Sequence, residues 1–149
     1  IAALVIASDL RFGGVESEHT AVLGSVAPYR PGAFFTRELP ALRAVLADAG
    51  PLDLLVVDGY VHLDPYGRAG LGAHAHTEFG IPVIGVAKTW FNGASHAVEV
   101  RRGNAARPLY VTAVGVDPER AAEIVRQMAG PYRMPDALRR VDALSRQRT

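Results

Sequence analysis

The sequence predicts an α/β domain with a mixed β-sheet flanked by helices, and three observations carry that expectation. Short continuous apolar runs at 1–8, 52–57 and 82–87 read as buried strands, because a strand covered on both faces needs no polar alternation. Segments with apolar residues at helical spacing lie between and after these runs. The order is strands first, then helix alternating with strand, which joins an antiparallel meander to parallel strands.

Each element has its own signal. The first run, IAALVIAS, is bounded by Asp9 and by Gly13-Gly14. Residues 16–27 alternate more and stop at Pro28, as a hairpin partner would. Tyr29-Arg30-Pro31-Gly32 has Pro and Gly in suitable order for a turn. Residues 38–49 place Leu39, Leu42, Val45 and Leu46 at helical spacing and end at Gly50-Pro51. The run 52–57 ends in Asp58-Gly59, a small-residue helix follows over 69–79, and the run 82–87 ends at Lys88. Strands at 96–101 and 109–113 flank a basic turn containing Arg101, Arg102 and Arg107. Pro118 suits the first position of a helix reaching Met128, with Asp117 as its cap, and a last helix covers 135–146.

The chain has 149 residues, enough for one domain over 1–149, and nearly half are apolar, enough for a core. No apolar run approaches a membrane span and no signal peptide is visible, so a cytoplasmic protein is expected. Ile1 is not an initiator Met, so the chain is expected to start inside a longer protein or after processing. There are no cysteines, which excludes disulfides, thiolate zinc sites and Cys nucleophiles. A metal would need oxygen or imidazole ligands, and carboxylates suit Mg²⁺ or Mn²⁺. A net charge of +1 is too weak to argue for nucleic acid. Among sixteen basic residues, however, only Lys88 is a lysine.

Asp58 and Lys88 both fall at the carboxyl ends of parallel strands, where open α/β sheets usually bind ligands. An Asp there is rigidly held yet reaches solvent, although the same residue commonly caps a turn. A Lys there can neutralise a phosphate or simply extend its ammonium from the sheet edge. Glu38 suits the electropositive start of a helix or a metal. Asp142 sits in ALRRVDAL, on a helix whose Leu138, Val141 and Leu144 face the core. Glu38, Asp58 and Asp142 together could hold Mg²⁺ for phosphodiester hydrolysis. Tyr29, stiffened by Pro28 and Pro31, could stack on bases or plug a hairpin. His74 and His76 are two apart and share no helix face, which argues against a paired zinc site. No P-loop, GxGxxG or Ser-His-Asp pattern is visible.

Six segments in order resemble the endonuclease V family across nearly the whole chain. PYRPG with FFTRELPAL resembles its PYIPG and FRExP segment, LDLLVVDG its strand ending in VDG, and GLGAHAH its LGxASH segment. IPVIGVAK resembles PTIGVAK, ARPLYVTAVG the strand before a GH motif, and PYRMPDALRRVD a YRLPEPTRxAD tail. The resemblance implies an RNase H-like fold and a Mg²⁺-dependent nick at the second phosphodiester 3′ to deoxyinosine in DNA. Inosine in RNA is an added substrate of some members, and a monomer is expected. Glu38, Asp58 and Asp142 match metal-binding or catalytic positions, and Lys88 a position near the cleaved phosphate. Tyr29 matches a wedge aromatic, in a loop with Arg30 and Pro31. Gly32, Phe34, Gly59, Gly70, His74 and Phe91 match substrate-pocket segments.

Departures accompany the resemblance. The family's first metal-binding Asp is expected upstream of Ile1, with Asp9 as a rival at a poorer spacing. DPYGR puts Asp64 where the family has a His, with an extra residue before Arg68. ALRR stands where EPTR is usual, and Val116 replaces the His of the GH motif. A noncatalytic nucleic-acid-binding relative is the alternative, and a generic small-molecule binder leaves the motif order unexplained.

Overall fold

A computed structural model describes residues 2–22, 35–47 and 49–146, and only the backbone for residues 35–38. Its elements are β1 Ala2–Ala7, β2 Val15–Ala21, α1 Phe35–Leu46, β3 Leu55–Asp58, α2 Leu71–Phe79, β4 Val83–Ala87, β5 Val98–Val100, β6 Leu109–Val114, α3 Pro118–Gln127 and α4 Asp136–Ser145. The α/β expectation holds. The strands nevertheless form two sheets, a β1-β2 hairpin and a four-stranded sheet in the order β3-β4-β6-β5.

In the larger sheet β3 and β4 run parallel, while β4-β6 and β6-β5 are antiparallel. Every residue of β4, VIGVA, is buried, as its unbroken apolar run predicts for a central strand. Successive side chains enter opposite faces. Ile84 and Val86 join Val111 of β6 and Ala121 and Val125 of α3 in one cluster; Val83 joins Val57 and Ala75 of α2 in the other. Pro118 begins α3 and the Asp117 carboxylate accepts the Glu119 and Arg120 N–H groups, as expected. Losing that cap would cost about 1 kcal/mol.

The first run behaves differently from expectation. β1 was predicted to be fully covered, yet of its residues only Leu4 is buried. Its ladder with β2 runs from Ala2↔Ala21 to Ile6↔Ser17 and slips at Ala7↔Val15. The Asp9 carboxylate holds the hairpin turn by accepting the N–H of Arg11 at 2.9 Å and of Gly13 at 3.4 Å. β1 and β3 are not hydrogen-bonded to each other. Between them lies a cleft of about 420 Å³ lined by Leu4, Ile6, Leu54, Val56, Leu138 and Val141 among others. An ion pair ties the hairpin to α4, with Arg140 Nε and Nη2 donating to the two Glu18 carboxylate oxygens at 2.5 and 2.9 Å. β2 ends at Ala21 and α1 begins at Phe35, earlier than the predicted 38. Residues 23–34, which include the predicted turn, lie outside the described residues. Among the described residues, no helix is long and apolar enough to cross a membrane.

Candidate functional site

Asp58 is the last residue of β3, and Lys88 directly follows β4. The parallel register pairs Asp58 with Val86, so the two strand tips emerge side by side. Lys88 Nζ stands 3.5 Å from Asp58 Oδ2, and both side chains are a little under half exposed. The pair is rigidly based but open to a ligand. The Gly59 N–H donates to the Val86 carbonyl at 2.9 Å, and its φ of 142° is one that glycine adopts readily and other residues rarely do.

The chain leaving Asp58 crosses closely over β4. A Cβ on Gly85 would lie 2.5 Å from the Gly59 carbonyl oxygen and 2.9 Å from the Val61 nitrogen. The Val61 N–H instead donates to Thr112 Oγ1 at 2.8 Å, satisfying a buried hydroxyl on β6. Gly70 caps α2 at a comparable approach, donating its N–H to the Val61 carbonyl at 2.8 Å. His74 lies one turn into that helix, with its N–H directed to the Gly70 carbonyl at 3.3 Å.

Tyr60 fixes the loop after Lys88. Its hydroxyl donates to the Thr89 carbonyl at 2.8 Å and accepts the Phe91 N–H at 3.1 Å. Burial pushes the phenol's pKa up. The Tyr60 and Phe91 rings lie 6.1 Å apart, in a cluster with Leu63, Ala87 and Ala94. Beyond it, His96 Nε2 donates to the His62 carbonyl at 2.8 Å. The His62 pKa is lowered, first by burial and then by the neighbouring His96 charge. Arg133 reaches in from the α3–α4 connection, where Nη2 donates to the carbonyls of Lys88 at 2.5 Å and Pro108 at 2.7 Å.

Asp58 thus ends β3, Gly59 and Gly70 lie in the β3–α2 connection, His74 lies on α2, and Lys88 and Phe91 lie in the loop after β4, with Asp58 and Lys88 in contact. Asp142 lies on α4, where its carboxylate meets Arg146 at 3.3 Å. Glu38 lies on α1, but its side chain is outside the described residues, as are Tyr29, Arg30, Pro31, Gly32 and Phe34 altogether. Asp64 turns its Oδ1 to the N–H groups of Tyr66 and Arg68, bracing its own loop. Among the described residues no three His, Asp or Glu side chains gather as a metal site. Carboxylate donors such as Asp58 have the right chemistry for a hard divalent cation. Tyr60 and Arg133 escaped the sequence reading. Tyr60 directly follows Asp58-Gly59, the one local hint, whereas Arg133 lies 45 residues from Lys88.

Comparison with known proteins supplies the family. The Endonuclease V family profile matches residues 1–110. Endonuclease V of Streptomyces avermitilis is 33% identical over 168 aligned residues, covering 98% of this chain and 72% of that protein. The crystal structure of Endonuclease V from that organism matches with a TM-score of 0.66 at 29% identity, over 80% of this chain and 61% of the solved one. The chain therefore spans less than two thirds of that solved chain. Endonuclease V of Ciona intestinalis, solved with a 23mer DNA containing an inosine followed by a ribo-adenosine, matches with a TM-score of 0.76 at 17% identity. It covers 97% of this chain and 76% of the other, and these matches bear out the RNase H-like fold. On the family profile and on identity sustained across nearly its full length, the chain belongs to the endonuclease V family.

Proposed function

We propose that the chain carries most of a Mg²⁺-dependent endonuclease that nicks DNA at the second phosphodiester 3′ to deoxyinosine, with inosine RNA as a further substrate. The observation that carries this reading is the Asp58–Lys88 contact at 3.5 Å on adjacent parallel strand tips, in a chain of this family. A solved relative from Ciona intestinalis holds inosine-containing DNA, which supports the choice of substrate. The working form is taken to be a cytoplasmic monomer.

Asp58, Glu38 and Asp142 are the residues proposed to hold Mg²⁺, with Mn²⁺ as a substitute. When bound, the cation would supply positive charge to the scissile phosphate and lower the pKa of attacking water. Asp58 presents an oxygen from a strand end that the sheet holds still. Lys88 places its ammonium where negative charge grows on the phosphate, the arrangement that preorganised electrostatic catalysis needs. Gly59 and Gly70 leave backbone open to an extruded base, Phe91 gives an apolar wall, and His74 lies on the helix above Gly70. The loop from Tyr29 to Phe34, including Arg30, Pro31 and Gly32, is proposed to occupy the gap left by the base.

The test is cleavage of a fluorescent oligonucleotide carrying one deoxyinosine, with Mg²⁺ or with EDTA, beside an inosine RNA of the same sequence. A metal-dependent nick 3′ to the lesion that falls about 10²–10³-fold in Asp58→Ala or Lys88→Ala is expected. A noncatalytic relative is the second reading. It rests on the departures from the family pattern, Asp64 where the family has a His and Val116 where it has the His of the GH motif. Lesion-selective binding without a nick would establish it, and neither binding nor cleavage would refute both.

A further inference from the structure

We propose that Arg133 is a positioning residue that holds Lys88 in contact with Asp58. The inference rests on the nuclease reading only for its effect on turnover. An ion pair as exposed as Asp58–Lys88 is too weak to immobilise a long lysine side chain. What the fold fixes is the point from which that side chain starts, the backbone of Lys88, and that backbone stands where the β4–β6 ladder runs out. The last pair is Ala87↔Tyr110, and just before β6 comes Pro108, which has no N–H to give. The guanidinium of Arg133 replaces the missing ladder, with Nη2 joining the carbonyls of Lys88 and Pro108.

The mount that carries Arg133 is itself anchored. It lies between Pro131 and Pro135, in the connection from α3 to α4. The buried Arg102 donates Nη2 to the carbonyls of Met128 and Gly130, and the Asp136 N–H closes onto the Ala129 carbonyl. A Cβ on Gly103 would strike the Pro131 carbonyl oxygen, so the two segments are in close contact. Among the described residues, Arg133 Nε is buried without a partner. The guanidinium thus adopts an orientation that serves both carbonyls through Nη2 and leaves the Nε–H unsatisfied. On the other side, Tyr60 holds the Thr89 carbonyl. Lys88 is therefore braced on its own carbonyl by Arg133 and on the next by Tyr60.

Because Lys88 is the only lysine, its side-chain NMR resonances can be observed without overlap. The shift change caused by Asp58→Asn measures the contact, and is compared in the parent protein and in Arg133→Met as a double-mutant cycle. The response is expected to be roughly halved or lost in Arg133→Met. Arg133→Gln, which keeps an amide donor, should fall between the two and serves if Arg133→Met does not fold. In cleavage, kcat should drop by about ten- to a hundredfold with little change in KM. Adding Arg133→Met to Lys88→Ala should cost nothing further, and Arg126→Gln, on the outer face of α3, should be without effect. An unaltered Lys88 response in a folded Arg133 variant overturns the proposal, whatever the activity. An altered response in a protein that cuts no substrate leaves the brace standing and removes the nuclease reading instead.

Discussion

Replacing Gly85 by Ala tests whether the site is set by the close crossing of β4 and the chain leaving β3. The added Cβ would stand 2.5 Å from the Gly59 oxygen, 2.8 Å from Thr112 Oγ1 and 2.9 Å from the Val61 nitrogen, whereas ordinary contact begins at 3.4 Å. Two of these neighbours are backbone. The third is a side chain 3% exposed, whose hydroxyl cannot turn away without abandoning the Val61 N–H. Overpacking of this kind costs about 1–3 kcal/mol, and losing the Thr112 bond adds about 0.5–1.5 kcal/mol. A loss of about 2–4 kcal/mol is expected, which for a domain of this size lowers Tm by roughly 4–16 °C. Urea unfolding would show it as a fall in midpoint at constant slope. Gly59 directly follows Asp58, so cleavage at a temperature where the variant stays folded should also fall. A stability change below about 0.5 kcal/mol, the usual size of an innocuous surface substitution, would show that the crossing is looser than described.

Other consequences follow from the same contacts. Thr112→Val keeps the volume but strands the buried Val61 N–H, and should cost about 1–3 kcal/mol in urea unfolding. The Glu18 pKa is lowered, first by its hydrogen bonds from Arg140. The folded state therefore binds fewer protons there, so this contribution is present above the ordinary carboxyl value of 4.5 and is lost as pH falls through the lower folded pKa. Glu18→Gln should flatten that acid limb of the stability–pH profile. His62 is also shifted downward, chiefly by burial, so its neutral form suits the fold. Stability from this group is present above the ordinary imidazole value of 6.5 and declines as pH falls below it, and His62→Gln should abolish the decline.

The parts of this structure that sequence makes legible are those governed by neighbours in the chain. Asp117 and Pro118 announce the start of α3 because cap chemistry acts within a few residues. The ends of β3 and β4 are equally plain, since an apolar run stops at a charged residue, and the pairing of Asp58 with Lys88 follows from parallel strands. The separation of the strands into two sheets was not legible. IAALVIA carries the pattern of a covered strand, but pattern alone does not say which strand lies beside it. Thr112, and the bearing of Arg133 on Lys88, were invisible for a similar reason. Thr112 meets Val61 across 51 residues, and Arg133 meets Lys88 across 45. Tyr29, Arg30, Pro31, Gly32, Phe34 and the Glu38 carboxylate lie outside the described residues.

The division into two sheets also bears on how the protein opens. The four-stranded sheet has α3 packed on one face and α2 on the other, so its amides are shielded from both sides. The β1-β2 hairpin shares no ladder with it; it packs on α1 and α4 and is tied by the exposed Glu18–Arg140 pair and by the Ala129 N–H donating to the Arg11 carbonyl at 2.7 Å. Units bound mainly by side-chain contacts can detach below the global unfolding threshold. Amide exchange should therefore fall into two cooperative groups. The hairpin would exchange first, sooner still at high ionic strength, while the strands that carry Asp58 and Lys88 keep their protection.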